Sequence, residues 1–374
     1  MKPAHLFRAG AGCAATLALL AALPAAAQSS VTVYGVFDLA IAQRQLAGQE
    51  AVRNVDSGLM ETSHIGFRGS EDLGQGLKAN FDLSSFIRLD AGEATRGIPG
   101  EAFWSRAAWA GLSGDWGSLR LGRVSTANFI ATMRFNPFGP AAGLNPTFLH
   151  TYIGSAAQPM TTGSGATDSA WSNSLSYASP NVAGFVLGLQ AAPSEGGTAG
   201  RRVGASLSYG APGQPLAAML TYDRTEHATL SFPLAIPTLP GAVPPFTGTD
   251  VATWQLGVSW DVGAAKLFGQ VADTQIDGSR AGPPPAAKTI DLRTWQLGVS
   301  VPLGAGALLA SAARTERDLN FSGLGATDQS RTTISVGYDY NLSKRTDVYA
   351  VAMGDRVTDL DSGTTLALGL RHRF

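Results

Sequence analysis

The amino-acid sequence predicts an all-β fold, a transmembrane antiparallel β-barrel of about 16 strands. Hydrophobic and polar residues alternate along short segments, which is the period of a strand with two different faces. The connections between these segments are alternately short and long. Beyond residue 27 no stretch approaches the roughly 18 consecutive apolar residues of a membrane helix, although 44% of the 374 residues are hydrophobic and 45 are glycine.

The first 27 residues are typical of a secretory signal peptide. A positively charged start, a short apolar stretch and a small-residue cleavage site lie at Lys2 and Arg8, at 9–23 and at Ala25–Ala27. The sequence therefore predicts a signal peptide at 1–27 and a mature barrel domain at 28–374. A membrane helix is the disfavoured alternative, because the apolar run is short and ends at Pro24.

The cysteine count and the charge exclude several classes of site. Cys13 is the only cysteine and lies inside the predicted signal peptide, so a metal site built on thiolates is excluded. Without Lys2 and Arg8 the 27 basic residues become 25 against 28 acidic ones, a net charge near −3. This balance does not suggest a nucleic-acid partner, and no cofactor or metal is expected.

The alternation begins directly after the predicted signal peptide. One face of the first segment carries Val31, Val33, Phe37 and Leu39, and the other carries Thr32, Tyr34 and Asp38. In 77–83 the polar face carries Lys78 and Asp82. The pattern recurs at 116–122, 201–209, 252–260, 264–276, 290–301, 330–340, 346–353 and 364–374. Each segment is predicted to be a strand.

The connections sort into two alternating classes. About seven are short and rich in Gly, Pro, Asn and Asp, at 71–74, 113–115, 179–181, 211–213, 260–263, 302–304 and 341–344. About eight are long, at 43–58, 89–101, 124–169, 193–200, 226–249, 277–288, 317–328 and 358–363. Such sorting joins an even number of strands with both termini at the short-turn end. A barrel of this size leaves an aqueous channel.

Aromatic residues and the chain end support a membrane barrel. Trp and Tyr side chains near predicted strand ends suit interfacial girdles, although aromatic residues also favour strands in general; they are Trp109, Trp116, Tyr177, Tyr209, Trp254, Trp260, Trp295, Tyr338, Tyr340 and Tyr349. At the carboxy terminus, residues 366, 368, 370, 372 and 374 alternate onto the lipid side. Phe374 is predicted to be the barrel-terminal assembly signal, read by the barrel assembly machinery.

Six segments resemble the general porins of β-proteobacteria, which are trimeric sixteen-stranded barrels related to the neisserial and enteric porins. They are SVTVYG at 30–35, SHIGFRGSEDLGQGLKA at 63–79, RAAWAGLS at 106–113, GSLRLGR at 117–123, NSLSYASPN at 173–181 and GLRHRF at 369–374. The resemblance implies an outer-membrane homotrimer, in contact with lipid and lipopolysaccharide, that passes small hydrophilic solutes. It also implies that the third long loop, 124–169, folds into the lumen as a constriction. The alternative for this loop is a mobile surface segment.

Candidate pore residues follow from strand parity and from the resemblance. Parity turns His64, Arg68, Lys78 and Asp82 inward, together with Asp38. The resemblance places wall arginines at Arg106 and Arg123, and the loop itself carries Arg134. We therefore assign the pore constriction to His64, Arg68, Arg106, Arg123 and Arg134, and count Asp38, Lys78 and Asp82 as other lumen-facing residues. Each could instead be a solvated wall residue.

The constriction departs from the family pattern at two places. His64 stands where Arg is usual, which makes that charge depend on pH. From Val124 to Thr167 there is no Asp or Glu, whereas the enteric relatives have carboxylates on this loop. A basic wall facing such a loop predicts anion preference. Asp168, Asp38 and Asp82 could partly neutralise the ring.

The predicted function is passive diffusion of small hydrophilic solutes. One alternative is a substrate-specific channel with a saturable site for a sugar, phosphate or carboxylate. Another is an adhesin or receptor acting through its outer loops, particularly 231–246. An outer-membrane enzyme is disfavoured, because the only histidines after the signal are His64, His150, His227 and His372 and no nucleophile motif such as G-x-S-x-G stands out.

Overall fold

The computed structural model describes residues 30–96, 101–152, 168–194, 200–210, 213–226, 246–280, 287–321 and 325–374. The predicted signal peptide, His227 and nearly all of 231–246 lie outside these residues. Among the described residues, no helix is long and apolar enough to cross a membrane.

The described chain consists of eighteen strands and two short helices. The strands are β1 (Ser30–Arg44), β2 (Val52–Ser57), β3 (His64–Gly74), β4 (Leu77–Arg88), β5 (Glu93–Ala94), β6 (Ala107–Gly114), β7 (Gly117–Ser125), β8 (Ala170–Ala178), β9 (Phe185–Ala192), β10 (Arg202–Tyr209), β11 (Leu216–Glu226), β12 (Phe246–Asp261), β13 (Lys266–Arg280), β14 (Ala287–Leu303), β15 (Gly306–Phe321), β16 (Gly325–Asn341), β17 (Thr346–Val357) and β18 (Gly363–Arg373). The helices are α1 (Ala127–Arg134) and α2 (Pro146–Thr151).

These strands form a closed antiparallel barrel with sixteen positions around its circumference. β5 pairs only with β4 and lies outside the ring. β2 and β3 pair with successive parts of β1, so they act as one strand interrupted at 58–63. Every other strand pairs with its two neighbours in sequence, β4 with β6 included. The predicted sixteen-stranded barrel is confirmed.

The ring closes where the first strand meets the last. β1 pairs with β18 from Val36↔Arg373 to Gln43↔Leu366. The backbones of Gly35 and Phe374 exchange two N–H···O bonds of 3.1 Å, which extends the ladder to the last residue. Closure leaves no sheet edge unpaired in lipid, which is the condition for strands to cross a bilayer.

The two faces of each strand differ as the alternation predicts. Large apolar side chains point outward and are exposed, including Ile41, Leu121, Leu297, Ile334 and Leu368. Exposed Trp116, Trp254, Trp260 and Trp295 belong to the outer aromatic girdles. Two predicted girdle residues do not: Trp109 faces inward beneath Arg120, and Tyr349 is buried and bonded to Asp38.

β12 to β16 are 15 to 17 residues long, and this length shortens two predicted loops. β13 reaches Arg280, β14 begins at Ala287, β15 reaches Phe321 and β16 begins at Gly325, so these strands extend into the connections expected at 277–288 and 317–328. Their flanks were predicted as loop because polar residues such as Asp277 and Asp318 lie on the outward face. A strand that rises beyond the apolar band is solvated on that face, so the alternation disappears from the sequence.

The third long connection, 126–169, is called L3 below; it is described at 126–152 and 168–169. Thr126 caps its first helix, because the Thr126 side chain accepts a hydrogen bond from Phe129 N. Asn145 caps the second helix, because its side chain accepts from Phe148 N, and Pro146 follows at the first helical position. Each capping side chain satisfies an orphan N–H and sets where its helix starts.

Candidate pore constriction

L3 lies inside the barrel, hydrogen-bonded to inward-facing side chains of β11, β12, β13, β15 and β16. Gln270 Nε2 donates to Phe135 O at 2.9 Å, Asn136 Nδ2 donates to Ser311 Oγ at 3.1 Å, and Ser335 Oγ donates to Leu144 O at 2.7 Å. Because these partners come from β13, β15 and β16, L3 is fixed along a broad arc of the inner wall.

Apolar contacts bind the middle of L3 to the remaining strands. Phe138 and Leu144 pack with Leu59, Met60 and Tyr349 in one buried cluster. Gly143 N also donates to Leu59 O at 3.2 Å. The described residues of L3 therefore cover the inner face from β10 through β18 to β1, which we call the covered wall. We call the inner face of β3 to β9 the open side.

Two glycines let L3 approach the barrel closely. A Cβ on Gly257 would lie 2.2 Å from Phe135 Cδ2, and one on Gly298 would lie 2.6 Å from Pro137 Cδ. Real Cβ atoms do not make such contacts, so only glycine at these wall positions admits L3 at its observed depth.

A buried ionic network holds the second helix of L3. Arg331 and Asp355 are fully buried and form two bonds, Nε to Oδ1 at 2.9 Å and Nη2 to Oδ2 at 3.0 Å. Arg331 also donates to Leu149 O at 3.0 Å. Asp355 further accepts from Ala47 N at 3.1 Å. One ion pair thus joins L3, the first long loop and two strands.

His150 completes this attachment. Its ring nitrogens lie 2.8 Å from Thr315 Oγ1 and 2.8 Å from Thr333 Oγ1. Complete burial, and then the nearby Arg331 cation, hold the pKa of His150 well below the ordinary histidine value, while Asp355 opposes the shift. His150 is therefore neutral at pH 7 and does not add charge to the pore.

Arg68, Arg106 and Arg120 form what we call the basic wall, on the open side. Arg68 Cζ lies 4.9 Å over the Tyr34 ring, and Arg120 Cζ lies 4.7 Å over the Trp109 ring. Arg106 Nη1 donates to Tyr34 Oη at 3.4 Å and to Ser84 Oγ at 3.3 Å. Arg68 lies on β3, Arg106 directly before β6 and Arg120 on β7, about half the circumference away from the strands that hold α2.

The charges of the basic wall are not balanced. Within the described ranges, no carboxylate oxygen lies within 4.0 Å of a nitrogen of Arg68, Arg106 or Arg120. Asp82 is an inward-facing carboxylate directly across from Arg68, and it accepts a hydrogen bond from Tyr34 Oη at 2.8 Å. Three guanidiniums against one carboxylate leave a local charge of +2, which attracts anions from solution.

Two predicted members of the constriction lie elsewhere in the structure. His64 is only 4% exposed, packs edge-on against Tyr34 and has Nδ1 2.9 Å from Thr62 O. Arg134 is exposed at the end of α1, where its guanidinium lies 5.4 Å from the Phe135 ring centroid and approaches Gly210. Burial therefore removes His64 from the pore surface, and Arg134 extends toward the end of β10.

The assignment of Arg123 to the constriction is corrected by its contacts. Its guanidinium donates to Ser105 O at 2.6 Å and to Asp168 Oδ2 at 2.7 Å, with weaker bonds to Ala170 O and Ser172 Oγ. It stands opposite Ala108, on the strand face that alternates with Arg120. Arg123 therefore ties the end of L3 to Ser105, which lies before β6, and its charge is balanced by Asp168.

Of the three residues assigned as other lumen-facing residues, Lys78 and Asp82 lie at the lumen surface and Asp38 does not. Asp38 points inward but is fully buried, accepting from Tyr349 Oη at 2.6 Å, Met60 N at 2.6 Å and Glu61 N at 2.7 Å. It is a structural anchor for 58–63 rather than a lumen residue. Lys78 is exposed opposite Ser113, and Asp82 is half-buried opposite Arg68, both on the inward face.

Sequence reasoning missed Arg120 and Tyr34, although the signal for both was present. Leu119 and Leu121 point outward in β7, so the same alternation turns Arg120 inward. Tyr34 shares the inward parity of Asp38 on β1. Their roles require contacts between β1, β3, β4 and β6, which the local pattern cannot supply.

Comparison with known proteins decides the family. The model of a Gram-negative porin family matches residues 14–360. The chain belongs to this Gram-negative porin family. An outer membrane porin protein 32 of Delftia acidovorans is 33% identical over 96% of this chain and 98% of its own length. An outer membrane porin of Bordetella pertussis is 28% identical over 96% of this chain and 98% of its own length.

Solved structures agree with this membership. An anion-selective porin from Comamonas acidovorans superposes with a TM-score of 0.72 at 26% identity, covering 93% of this chain and all of the other. OmpF of Salmonella typhi shares the fold, with a TM-score of 0.61 at 15% identity, covering 92% of this chain and 97% of the other. The porin is thus a multi-pass β-barrel of the outer membrane and a passive channel, and its family and relatives indicate a channel rather than an enzyme.

Proposed function

We propose that this porin is a general diffusion pore that prefers anions. The observation that carries the proposal is the basic wall: its three guanidiniums form no salt bridge with the described residues. L3, which lines the same lumen, has no Asp or Glu between residues 124 and 167. In the narrow part of a pore, lining charges act through little water and set which ions enter. The name of the Comamonas acidovorans relative, an anion-selective porin, supports the same direction.

The arrangement supports general diffusion over a substrate-specific channel. Arg68 and Arg120 are each stacked on a separate aromatic ring, on β1 and on β6. A saturable site needs several groups converging on one solute, whereas these cations are spread over neighbouring strands. They attract anions as a class.

The wider setting is part of the proposal. We assign residues 1–27 to a signal peptide removed on export, and 28–374 to a barrel that works as a homotrimer in contact with lipopolysaccharide. Phe374 is assigned as the signal read by the barrel assembly machinery. Its ring packs edge-on against Phe37 on the outer face, with ring centroids 5.0 Å apart, and is half-buried there.

The test is the reversal potential of the purified porin in a planar bilayer under a salt gradient. Wild type is expected to be anion-selective with a conductance that does not saturate. Arg68→Gln, Arg106→Gln and Arg120→Gln should each lower the chloride-to-potassium permeability ratio, by up to about five-fold for loss of a unit charge roughly 4 Å from the ion path.

Arg123→Gln is the matched control, because it removes the same charge from a residue already paired with Asp168. It should leave the permeability ratio near the wild-type value. Cation selectivity of the wild type would refute the proposal. Saturable block of chloride current by one solute class would favour the substrate-specific channel instead.

A further inference from the structure

Tyr34 lies at the centre of the basic wall, on the inward face of β1. Its ring lies across Gly66 of β3, where a Cβ would come within 2.7 Å of Tyr34 Cζ. The neighbouring strand therefore leaves room for the ring to lie flat along the wall and reach β4. His64 packs edge-on against it, with ring centroids 6.0 Å apart.

One side chain thereby contacts three charged groups. The Tyr34 hydroxyl donates to both carboxylate oxygens of Asp82 at 2.8 Å and accepts from Arg106 Nη1 at 3.4 Å. The ring supports the Arg68 guanidinium at 4.9 Å from its centroid. These contacts join β1, β3, β4 and Arg106, the residue directly before β6.

The strand register would favour a different arrangement. Arg68 and Asp82 are direct partners across β3 and β4, both facing inward. Opposite charges at such positions have Cβ atoms about 5 Å apart and commonly attract one another. Here no nitrogen of Arg68 is within 4.0 Å of Asp82 among the ion pairs of the described chain. Arg68 turns onto the ring, and Asp82 turns to the hydroxyl.

We propose that Tyr34 is a positioning residue for selectivity: its hydroxyl holds Asp82 and its ring holds Arg68, so that Asp82 does not neutralise the basic wall. This inference rests on the proposed anion preference. Its consequence is that a permeating anion meets an unpaired guanidinium. The phenol is well suited to this because it is neutral and binds the carboxylate without adding charge.

Tyr34→Phe tests the proposal, because it keeps the ring and removes only the hydroxyl. Asp82 is then released to pair with Arg68 or Arg106, and the chloride-to-potassium permeability ratio at low salt should fall about two-fold, as expected for moving one charge by a few ångström in water. Heat-induced unfolding of the barrel, followed on gels, should be unchanged.

A double-mutant cycle separates this role from a structural one. In an Asp82→Asn background no carboxylate remains to be released, so adding Tyr34→Phe should not change the permeability ratio. An equal fall in the wild-type and Asp82→Asn backgrounds, or no fall with Tyr34→Phe alone, would overturn the proposal. An anion-indifferent wild type would instead refute the proposed function on which it rests.

Discussion

Two pairs of opposite charges, one on each side of the inner wall, are arranged in opposite ways. On the covered wall, Arg331 and Asp355 are completely buried and bonded to each other through two contacts. On the open side, Arg68 and Asp82 are direct cross-strand partners and yet form no ion pair. Arg331 and Asp355 are shielded from water, where a lone charge would be costly, and each compensates the charge of the other. Where water remains, the charge is left available to solutes.

The largest expected effect is on the covered wall. Arg331→Met leaves Asp355 buried without its cation and removes the donor to Leu149 O, which should destabilise the fold by about 3 to 5 kcal/mol. The expected result is a lower unfolding temperature and a noisier, larger conductance as L3 loosens. Arg331→Met combined with Asp355→Asn should recover much of the loss, because no buried charge remains. Equal stability of the single and double variants would show that the unpaired charge of Asp355 is not what destabilises Arg331→Met.

A glycine substitution tests how closely L3 must approach. Gly257→Ala places a Cβ 2.2 Å from Phe135 Cδ2, and overpacking of this kind costs about 1 to 3 kcal/mol. The displaced α1 should alter single-channel conductance while the strand content by circular dichroism stays the same. Gly354→Ala is the control, because nothing lies within 4 Å of that Cβ on the outer face. If both variants behave alike, the close packing of L3 is not what sets the conductance.

Acidification should weaken the attachment of L3 through His150. Its pKa is held below the ordinary value of 6.5 by burial and by Arg331, with Asp355 acting in the opposite direction. The unfolded chain therefore binds the extra proton first, and stability contributed by neutral His150 is complete above pH 6.5 and falls below it. The loss can reach about 1.4 kcal/mol per pH unit.

His150→Gln keeps hydrogen-bonding groups and cannot acquire that proton. Unfolding temperatures compared at pH 7.5 and pH 5 should therefore differ less in this variant than in wild type. His372→Asn, on the outer face beside Thr346, should retain the wild-type difference. An unaltered pH response in His150→Gln would assign the acid sensitivity to other groups.

Local alternation was sufficient for the barrel but only partly for the pore. The outward leucines of β18 and the inward Arg68 follow directly from a period of two. Asp38 has the correct parity, yet 58–63 covers it, and coverage depends on a contact distant in sequence. Arg123 shares the outward parity of Leu119 and Leu121, and its assignment to the constriction came from the resemblance instead. The charge at the constriction thus depends on which arginines form an ion pair with a carboxylate, and the local pattern does not show that.

The smallest expected effect concerns Asp168, an acidic residue at the end of L3. It pairs with Arg123 at 2.7 Å and lies 3.7 Å from Arg96, with about a quarter of its side chain exposed. Asp168→Asn should change stability by only about 0 to 1 kcal/mol, as for other partly exposed pairs. It should also leave the permeability ratio nearly unchanged, since the charge of Asp168 is compensated by Arg123. A rise of the permeability ratio as large as the fall caused by Arg120→Gln would show that the charge of Asp168 acts on the ion path together with the basic wall.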